Sequence, residues 1–413
     1  MKINHRWKMR TKNRGRIFLI PEMEIILNSG IWSVKGILSL GENIGIKRDK
    51  KDFAVIFSEK LANAAGMFTK NRVKGAPIIV DIEKLKSGKA QAIVINSGIS
   101  NVCTGQKGID DAYEMAKLAA DELGINEEHV LVSSTGVIGA YLPMEKIREG
   151  INGIKSRLKK STAEAAEAIL TTDLIPKNIA VKFDGITIGA IAKGSGMVNP
   201  NMATMLVFIT TDAEISSEDL KKFLKNSVDK SFNMVTVDND TSTSDSVIIL
   251  ANGLAGKPNT EKFQNALDYV CIELAKKIAR DGEGATKLIE IKVKNAVTFE
   301  QAKKIAKSIA GSNLVKCAMF GNDPNWGRIM CAAGYADTED KNFHPEKVDI
   351  IINSEKIVIN GESARFDKPH FSELLKADPV VVEVDLKLGK EEATAYGCDM
   401  SYDYVKINAE YHT

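Results

Sequence analysis

The chain has 413 residues, which is enough for one large domain or for two to three smaller ones. Its 44% hydrophobic and 27% charged residues match the globular average and exclude a collagenous, fibrous or disordered class. The 56 basic and 54 acidic side chains leave a net charge of +2, which predicts no nucleic-acid partner. No apolar run reaches the roughly 18 residues of a membrane span, so we predict a soluble protein with no membrane partner.

The N-terminus differs in charge from the rest of the chain. Residues 1–20 contain seven basic side chains and no acidic one, and we expect a solvated basic tail over residues 1–29. A start codon assigned too far upstream is the alternative. A secretory signal is not favoured, because Pro21, Glu22 and Glu24 interrupt the apolar stretch 17–27.

The cysteines and histidines are scattered. There are five of each, without a Cys-x-x-Cys or a His-x-x-x-His pair. This spacing argues against a disulfide framework and against a metal site. We therefore predict reduced thiols, a cytoplasmic location and no metal.

Hydrophobic periods of 2 and of about 3.6 residues alternate along the chain, as is typical of an α/β or α+β protein. An apolar strand is predicted at 130–132. Ser161 with Glu164 predicts a capped short helix, and the Asp-Gly pair at 184–185 predicts a hairpin between two strands. A buried strand follows at 205–210.

The second half continues the alternation. Thr260 is predicted to cap a long helix with one apolar stripe, and Thr298 with Gln301 forms a capping box before another helix. No repeat, low-complexity tract or Pro-rich linker marks a domain boundary. Further strands are predicted at 288–293, 348–353, 357–359 and 381–388.

Residues 193–204 carry the clearest chemical signal, Lys-Gly-Ser-Gly-Met-Val-Asn-Pro-Asn-Met-Ala-Thr. The glycines and the proline predict a tight loop that leaves one strand at Lys193 and enters another at Thr204. The Thr204 hydroxyl is suited to attack the carbonyl of Ala203, and hydrolysis of the resulting ester would start a new chain at Thr204. An α-amine, with an ordinary pKa of about 7.7–8.0, would then activate that hydroxyl. The alternatives are an ordinary turn with a solvated Lys193, or a phosphate loop whose motif is incomplete.

A second signal lies at residues 133–139, Ser-Ser-Thr-Gly-Val-Ile-Gly, directly after the apolar strand. The N–H of Gly136 and the hydroxyl of Thr135 are candidate donors of an oxyanion hole. The alternative is a capped turn between a strand and a helix.

These segments resemble the ornithine acetyltransferases, also called glutamate N-acetyltransferases, of arginine biosynthesis. The resemblance runs from about Gly30 to the last residue, and the segment 200–206, Pro-Asn-Met-Ala-Thr-Met-Leu, is highly specific. Further matching segments are 68–71, 96–98, 134–139 with 142–143, 171–173 with 176–177, 193–199, 238–245, 321–328 and 404–413.

The resemblance implies an α/β (α+β) fold in which sheets and helices pack as a layered sandwich. It implies self-cleavage between Ala203 and Thr204, into an α chain of residues 30–203 and a β chain of residues 204–413. The two chains would form one active site and assemble as α2β2.

The implied reaction is ping-pong transfer of an acetyl group from N2-acetyl-L-ornithine to L-glutamate, without a cofactor. The alternative is a self-processing amidohydrolase or aminopeptidase with the same N-terminal threonine. Whether acetyl-CoA also serves as a donor stays open.

The family's site residues map onto this chain. The nucleophile falls on Thr204 and the oxyanion hole on Thr135 and Gly136. A cation such as Lys193 suits a carboxylate, and Glu283 suits an amine. Val405 and Ile407 alternate as a paired terminal strand would, although fraying is the usual state of a C-terminus. The implied substrate-binding residues are Thr171, Thr172, Lys193, Thr204, Glu283, Asn408 and Thr413.

Overall fold

The computed structural model describes residues 23–160, 162–199, 205–337 and 340–410. Within these ranges the chain forms two β-sheets with α-helices packed against them, which confirms the predicted α/β class and its layers. None of the helices described there is long and apolar enough to cross a membrane. The strands are β1 (Glu24–Ile26), β2 (Ile37–Glu42), β3 (Phe53–Phe68), β4 (Lys89–Ile99), β5 (Val130–Val137), β6 (Lys177–Phe183), β7 (Ile186–Lys193), β8 (Leu206–Ala213), β9 (Val235–Thr236), β10 (Ser246–Gly256), β11 (Leu288–Ala296), β12 (Asp349–Ile352), β13 (Glu355–Ile359), β14 (Glu362–Ser363), β15 (Val380–Asp385) and β16 (Glu391–Cys398).

The first sheet contains nine of the described strands, in the order β1-β6-β7-β8-β10-β3-β4-β5, with β2 paired to β3. β1 lies within the segment 1–29 and pairs with β6. β7 and β8 are antiparallel neighbours, and Lys193 at the end of β7 pairs with Leu206 at the start of β8. The strands that flank residues 200–204 are therefore hydrogen-bonded to each other.

The second sheet contains seven of the described strands, in the order β14-β13-β12-β15-β11-β16-β9. The helices of the described chain lie around and between the two sheets. They are α1 (Ala76–Lys84), α2 (Gly105–Leu123), α3 (Met144–Ile151), α4 (Ile154–Arg157), α5 (Glu164–Ala168), α6 (Ser217–Lys230), α7 (Thr260–Arg280), α8 (Phe299–Gly311), α9 (Asn313–Phe320), α10 (Trp326–Gly334), α11 (Lys368–Leu374) and α12 (Tyr402–Glu410).

Helix α7 connects the two sheets, because it contacts β6 and β7 of the first sheet and β11 and β16 of the second. Its apolar stripe is buried from Phe263 to Ile278, as the 3.6-residue period predicts. The cap predicted at Thr260 is wrong by one residue, because the Asn259 side chain accepts the hydrogen bond from the Lys262 amide. Asn is at least as good a cap as Thr, so the residue just before Thr260 takes that role.

The other predicted elements are found near their expected bounds. The Asp184-Gly185 turn joins β6 to β7, and both residues have positive φ, of 45° and 80°, as a type I′ turn requires. Thr298 caps α8 through a 3.1 Å hydrogen bond from the Gln301 amide. The helix predicted near residue 164 is α5, but the predicted capping box of Ser161 with Glu164 is wrong, because Glu164 is the first residue of the helix and Ala163 holds the cap position. The strands predicted after residue 204 correspond to β8, β11, β12, β13 and β15.

Candidate active site

One cavity lies where the ends of β5 and β7 meet the start of β8 and the segment before β10. Its volume of about 340 Å³ is in the range of small-molecule sites. Ala203, Thr204 and Thr413 lie outside the described residues, but Met205, which follows Thr204 in the chain, lines the cavity. The predicted site residues within the described ranges all line it, and they are Thr135, Gly136, Thr171, Thr172, Lys193, Glu283 and Asn408.

The two predicted oxyanion donors lie at the irregular end of β5. Gly136 lies opposite Gly98 of the parallel neighbour β4, where the register between the strands shifts. Gly136 has a φ of 130°, and a Cβ there would overlap the backbone of Gly98. Glycine is therefore required both by the backbone conformation and by the close approach of the two strands. Thr135 is buried beside it on the cavity wall.

Lys193, the last residue of β7, has its ammonium group inside the protein. The residue is only 7% exposed, and its Nζ donates a 3.2 Å hydrogen bond to Thr135 Oγ1. Burial lowers the pKa of Lys193 from its ordinary value, and the Asp173 carboxylate opposes that shift. The alternative of a solvated Lys193 in an ordinary turn is therefore wrong.

A buried ion-pair network lies behind Lys193. Lys177 Nζ is 2.6 Å from Asp173 Oδ1 and 2.5 Å from Asp281 Oδ2. Burial alone would raise the pKa of Asp173, but the ammonium groups of Lys177 and Lys193 lower it well below its usual range. Burial raises the pKa of Asp281, against the effect of Lys177. Sequence analysis missed this network, since Asp281 is 104 residues away from Lys177 along the chain.

The described part of the 193–204 loop is held by two carboxylates. Asp173 Oδ1 accepts a 2.7 Å hydrogen bond from the Gly194 amide. Asp238 accepts hydrogen bonds of 2.6 and 2.8 Å from the amides of Met197 and Val198. The loop is therefore fixed at its start and near residues 197 and 198, before it reaches the predicted cleavage point. Asp238 belongs to the matching segment 238–245, but its role cannot be derived from that match.

Glu283 lies in the turn after α7 and lines the cavity. Its amide donates a 3.0 Å hydrogen bond to the Ser195 carbonyl. A Cβ at Gly196 would overlap the Glu283 carboxylate, so glycine at 196 permits their close approach. The carboxylate also accepts a 2.9 Å hydrogen bond from Asn408 Nδ2. Glu283 is half-buried by these contacts, which contradicts the alternative of an exposed turn residue.

The predicted terminal strand through Val405 and Ile407 is wrong, because these residues belong to helix α12. The Asp403 amide donates to Ser401 Oγ just before the first turn, and Asn408 Nδ2 also donates to the Tyr404 carbonyl one turn earlier. An alternation of only two apolar residues does not distinguish a strand from an exposed helix. The prediction that Asn408 faces the site does not depend on the strand.

Asp245 is a second residue that sequence analysis missed. It lines the cavity just before β10 and is only 3% exposed. Its Oδ2 has no hydrogen-bond partner among the residues that the structure describes. Burial raises the pKa of this carboxyl well above its ordinary value. In the same described ranges, no group of three or more His, Cys, Asp or Glu side chains is suited to hold a metal ion.

A cavity of this size, with a few convergent polar groups and several perturbed titratable side chains, is what an enzyme that acts on a small molecule provides. Comparison with known proteins gives a narrower assignment. The model of the ArgJ family matches residues 39–413, and the chain belongs to this family.

Individual relatives agree with the family model. The chain is 50% identical to the arginine biosynthesis bifunctional protein ArgJ of Caldanaerobacter subterraneus subsp. tengcongensis, over 94% of this chain and 100% of that protein. It is 47% identical to the protein of the same name from Symbiobacterium thermophilum, over 94% and 99% of the two chains. A crystal structure of the Bacillus halodurans ArgJ protein is 45% identical, covers 49% of this chain and 98% of that one, and superposes with a TM-score of 0.48.

Proposed function

We propose that the chain is a glutamate N-acetyltransferase that moves the acetyl group of N2-acetyl-L-ornithine to L-glutamate in cyclic arginine biosynthesis. The observation that carries this proposal is that the described site residues, predicted from segments far apart in the chain, line one cavity. Membership of the ArgJ family, whose relatives are named for arginine biosynthesis, supports the same assignment.

The proposed enzyme first cleaves itself between Ala203 and Thr204. The Thr204 hydroxyl oxygen attacks the Ala203 carbonyl carbon, the hydroxyl proton passes to the amide nitrogen, and the C–N bond breaks to leave an ester. Breaking the C–N bond releases the α-amine of Thr204, and water then hydrolyses the ester, which leaves a carboxylate on Ala203 and frees the Thr204 hydroxyl. The Lys193–Leu206 pairing of β7 with β8 supports chains of residues 30–203 and 204–413 that stay together after cleavage.

Acetyl transfer then uses the same hydroxyl. The α-amine of Thr204 takes the hydroxyl proton while the oxygen attacks the acetyl carbonyl of N2-acetylornithine. The hydroxyl of Thr135 and the N–H of Gly136 hydrogen-bond the oxyanion of the tetrahedral intermediate. The C–N bond breaks, the proton moves to the departing ornithine nitrogen, and the acetyl group remains on Thr204 as an ester. The amine of glutamate attacks this ester, and Thr204 recovers its proton when N-acetylglutamate leaves.

The two substrates share an α-carboxylate and differ in the charge at the side-chain tip, so the cavity has to accept both signs of charge. The Lys193 ammonium is suited to a carboxylate and Glu283 to an ammonium group, and both residues line the cavity. Thr171, Thr172 and Asn408 supply further polar groups at its wall. Thr413 is proposed to contact the substrate as well.

The proposal includes an α2β2 heterotetramer in the cytoplasm. It leaves open whether acetyl-CoA is a second acetyl donor, which would make the enzyme an N-acetylglutamate synthase as well. The competing function is an N-terminal-threonine amidohydrolase, in which water rather than glutamate would take the acetyl group.

Two measurements on the purified protein test the proposal. Intact-mass spectrometry is expected to find one fragment that ends at Ala203 and one that begins at Thr204. When N2-acetylornithine and glutamate are both present, N-acetylglutamate is expected to form much faster than free acetate. A single uncut chain would contradict the self-cleavage, and release of acetate at the same rate with and without glutamate would favour the amidohydrolase.

A further inference from the structure

We propose that Asp173 is a positioning residue of this site. It joins the cavity-lining segment 171–172 to the segment that contains Lys193, and it holds the Lys193 ammonium group against Thr135. The inference rests on the proposed function, because it assigns how the oxyanion hole of that reaction is organised. Asp173 does not line the cavity, so its effect is exerted through Lys193, Thr135 and the backbone.

The geometric part of the argument is that one buried carboxylate accepts from three separate groups. Asp173 Oδ2 accepts from the Thr171 amide at 3.1 Å, and Oδ1 accepts from the Gly194 amide at 2.7 Å. The same Oδ1 accepts from Lys177 Nζ at 2.6 Å, and the side chains of Asp173 and Lys177 are fully buried. Asp173 thus fixes the backbone of Thr171, which lines the cavity, relative to the backbone of Gly194, which follows Lys193.

The electrostatic part concerns the charges that face Lys193. The opposite charges are the carboxyl groups of Asp173, Asp245 and Glu283, and the like charges are the ammonium groups of Lys177 and Lys47. Of the three carboxyl groups, Asp173 raises the pKa of Lys193 the most.

The other two carboxyl groups are less suited to balance the Lys193 ammonium. Burial raises the pKa of Asp245 well above its ordinary value, which favours its neutral form. Glu283 accepts a hydrogen bond from Asn408 instead. Asp173 is therefore the main counter-charge of the buried Lys193 ammonium.

The consequence for catalysis lies in the Lys193–Thr135 hydrogen bond of 3.2 Å. When the Thr135 oxygen accepts from an ammonium group, its own proton is left to point to another acceptor, and the hydroxyl becomes a stronger donor. An oxyanion in the cavity is such an acceptor. Asp173, by keeping Lys193 charged and in place, thus orients and strengthens the Thr135 donor.

The chain offers a matched control in Asp281. Its carboxylate binds the same Lys177 at 2.5 Å and accepts from the Leu174 amide at 3.1 Å. Asp173→Asn and Asp281→Asn therefore each remove one of the two carboxylates that pair with the buried Lys177 ammonium. Only the first removes the carboxylate that accepts from Gly194 and has the largest opposite-charge effect on Lys193.

The test compares the pH dependence of kcat/KM for acetyl transfer in the two variants. Loss of the Asp173 charge lowers the pKa of Lys193 further, so the ammonium is lost at lower pH. The alkaline limb of the Asp173→Asn profile is expected to move to lower pH, with about a tenfold loss in kcat, less than a direct oxyanion donor costs. Asp281→Asn is expected to keep the native alkaline limb. Identical profiles in the two variants would overturn the inference.

A second pair of variants covers the case in which Asp173→Asn does not fold. Asp173→Glu and Asp281→Glu both keep the negative charge. Each lengthens by one methylene group a side chain that pairs with Lys177. Asp173→Glu is expected to lower kcat for transfer more than Asp281→Glu does. Equal losses would show that Asp173 only stabilises the fold.

A labelling experiment separates this inference from the proposed function. The pH dependence of Lys193 modification by acetic anhydride, measured by peptide mass spectrometry, needs no acetyltransferase activity. Its midpoint is expected at lower pH in Asp173→Asn than in the native protein, and unchanged in Asp281→Asn. A shifted midpoint in a protein without transfer activity would reject the proposed function and leave only the electrostatic coupling of Asp173 to Lys193. An unshifted midpoint in a protein that transfers acetyl groups would reject the inference alone.

Discussion

The cavity wall has a buried part, which we call the buried side, and an exposed part, which we call the exposed side. On the buried side, Thr135 in β5 and Lys193 at the end of β7 have little exposure, and the network of Lys177 with Asp173 and Asp281 is buried as well. On the exposed side, Asn408 belongs to α12, a helix without a single buried residue among those described. Few contacts hold α12, among them the Asn408–Glu283 hydrogen bond and the packing of Tyr402 on Phe320, whose ring centres are 5.6 Å apart.

This difference predicts two roles for the parts of the site. The proposed oxyanion donors lie on the buried side, where reorganisation is small and electrostatic interactions are strong. The proposed substrate contact of Asn408 comes from an exposed helix, whose removal is expected to leave the core intact. Self-cleavage, which needs only the buried side, is therefore expected to survive changes that abolish acetyl transfer.

The largest expected effect comes from the residue that serves both steps. Thr204→Ala is expected to remain a single chain and to have no transfer activity, because cleavage and transfer use the same hydroxyl. Thr204→Ser keeps a hydroxyl and is expected to retain some of each. Denaturing gels and an acetyl-transfer assay on the same preparations measure both. Cleavage of the Ala variant at the same bond would contradict self-attack.

Removal of the exposed side is expected to separate the two steps. A chain without residues 408–413 should still cleave itself, because the 193–204 loop and the oxyanion hole are untouched. Its transfer activity should fall by about 100-fold or more, as expected when substrate groups lose their positioning. The gel and the assay are again compared on one preparation. Near-normal kcat and KM for both substrates would mean that residues 408–413 are a frayed terminus without a part in acetyl transfer.

A change on the buried side is expected to act on kcat. Thr135→Ala removes one oxyanion donor and should lower kcat by about 10²–10³, with a smaller change in KM. Thr135→Ser, which keeps a hydroxyl, is the control and should be close to native. Steady-state kinetics with both substrates measure kcat and KM for the two variants. If kcat were unchanged and KM raised, Thr135 would bind the ground state instead.

The smallest expected effect tests the structure of α12. Val405 is 65% exposed on this helix, so Val405→Ala should change the free energy of unfolding by less than about 0.5 kcal/mol and leave transfer unchanged. In a paired terminal strand the same side chain would pack against a neighbour. A loss of more than about 1 kcal/mol in denaturant unfolding would favour that strand.

Local patterns predict local structure well in this chain. The Asp184-Gly185 hairpin and the apolar stripe of α7 are determined by residues adjacent in sequence, and both are confirmed. The motif resemblance also identified residues that converge on one cavity, because it transfers a complete site rather than single residues. Short patterns are weaker, and the alternation of Val405 with Ile407 led to a strand where a helix is found.

The buried charges could not be predicted from the sequence. Asp173, Lys177 and Asp281 form one network only because the ends of β6 and α7 meet in the fold. Nothing in the composition distinguishes these charged residues from solvated ones. Asp245 is a similar case, since its burial beside the cavity depends on the parallel pairing of β10 with β8.

The central claim, an acetyl group carried on Thr204, is tested most directly by trapping it. The purified protein is mixed with N2-acetylornithine without glutamate, quenched in acid and examined by peptide mass spectrometry. We predict one acetyl group on the N-terminal peptide of the 204–413 chain, on the Thr204 hydroxyl, that disappears when glutamate is added before the quench. Absence of this acetyl group, or its appearance on another residue that glutamate discharges, would contradict the account.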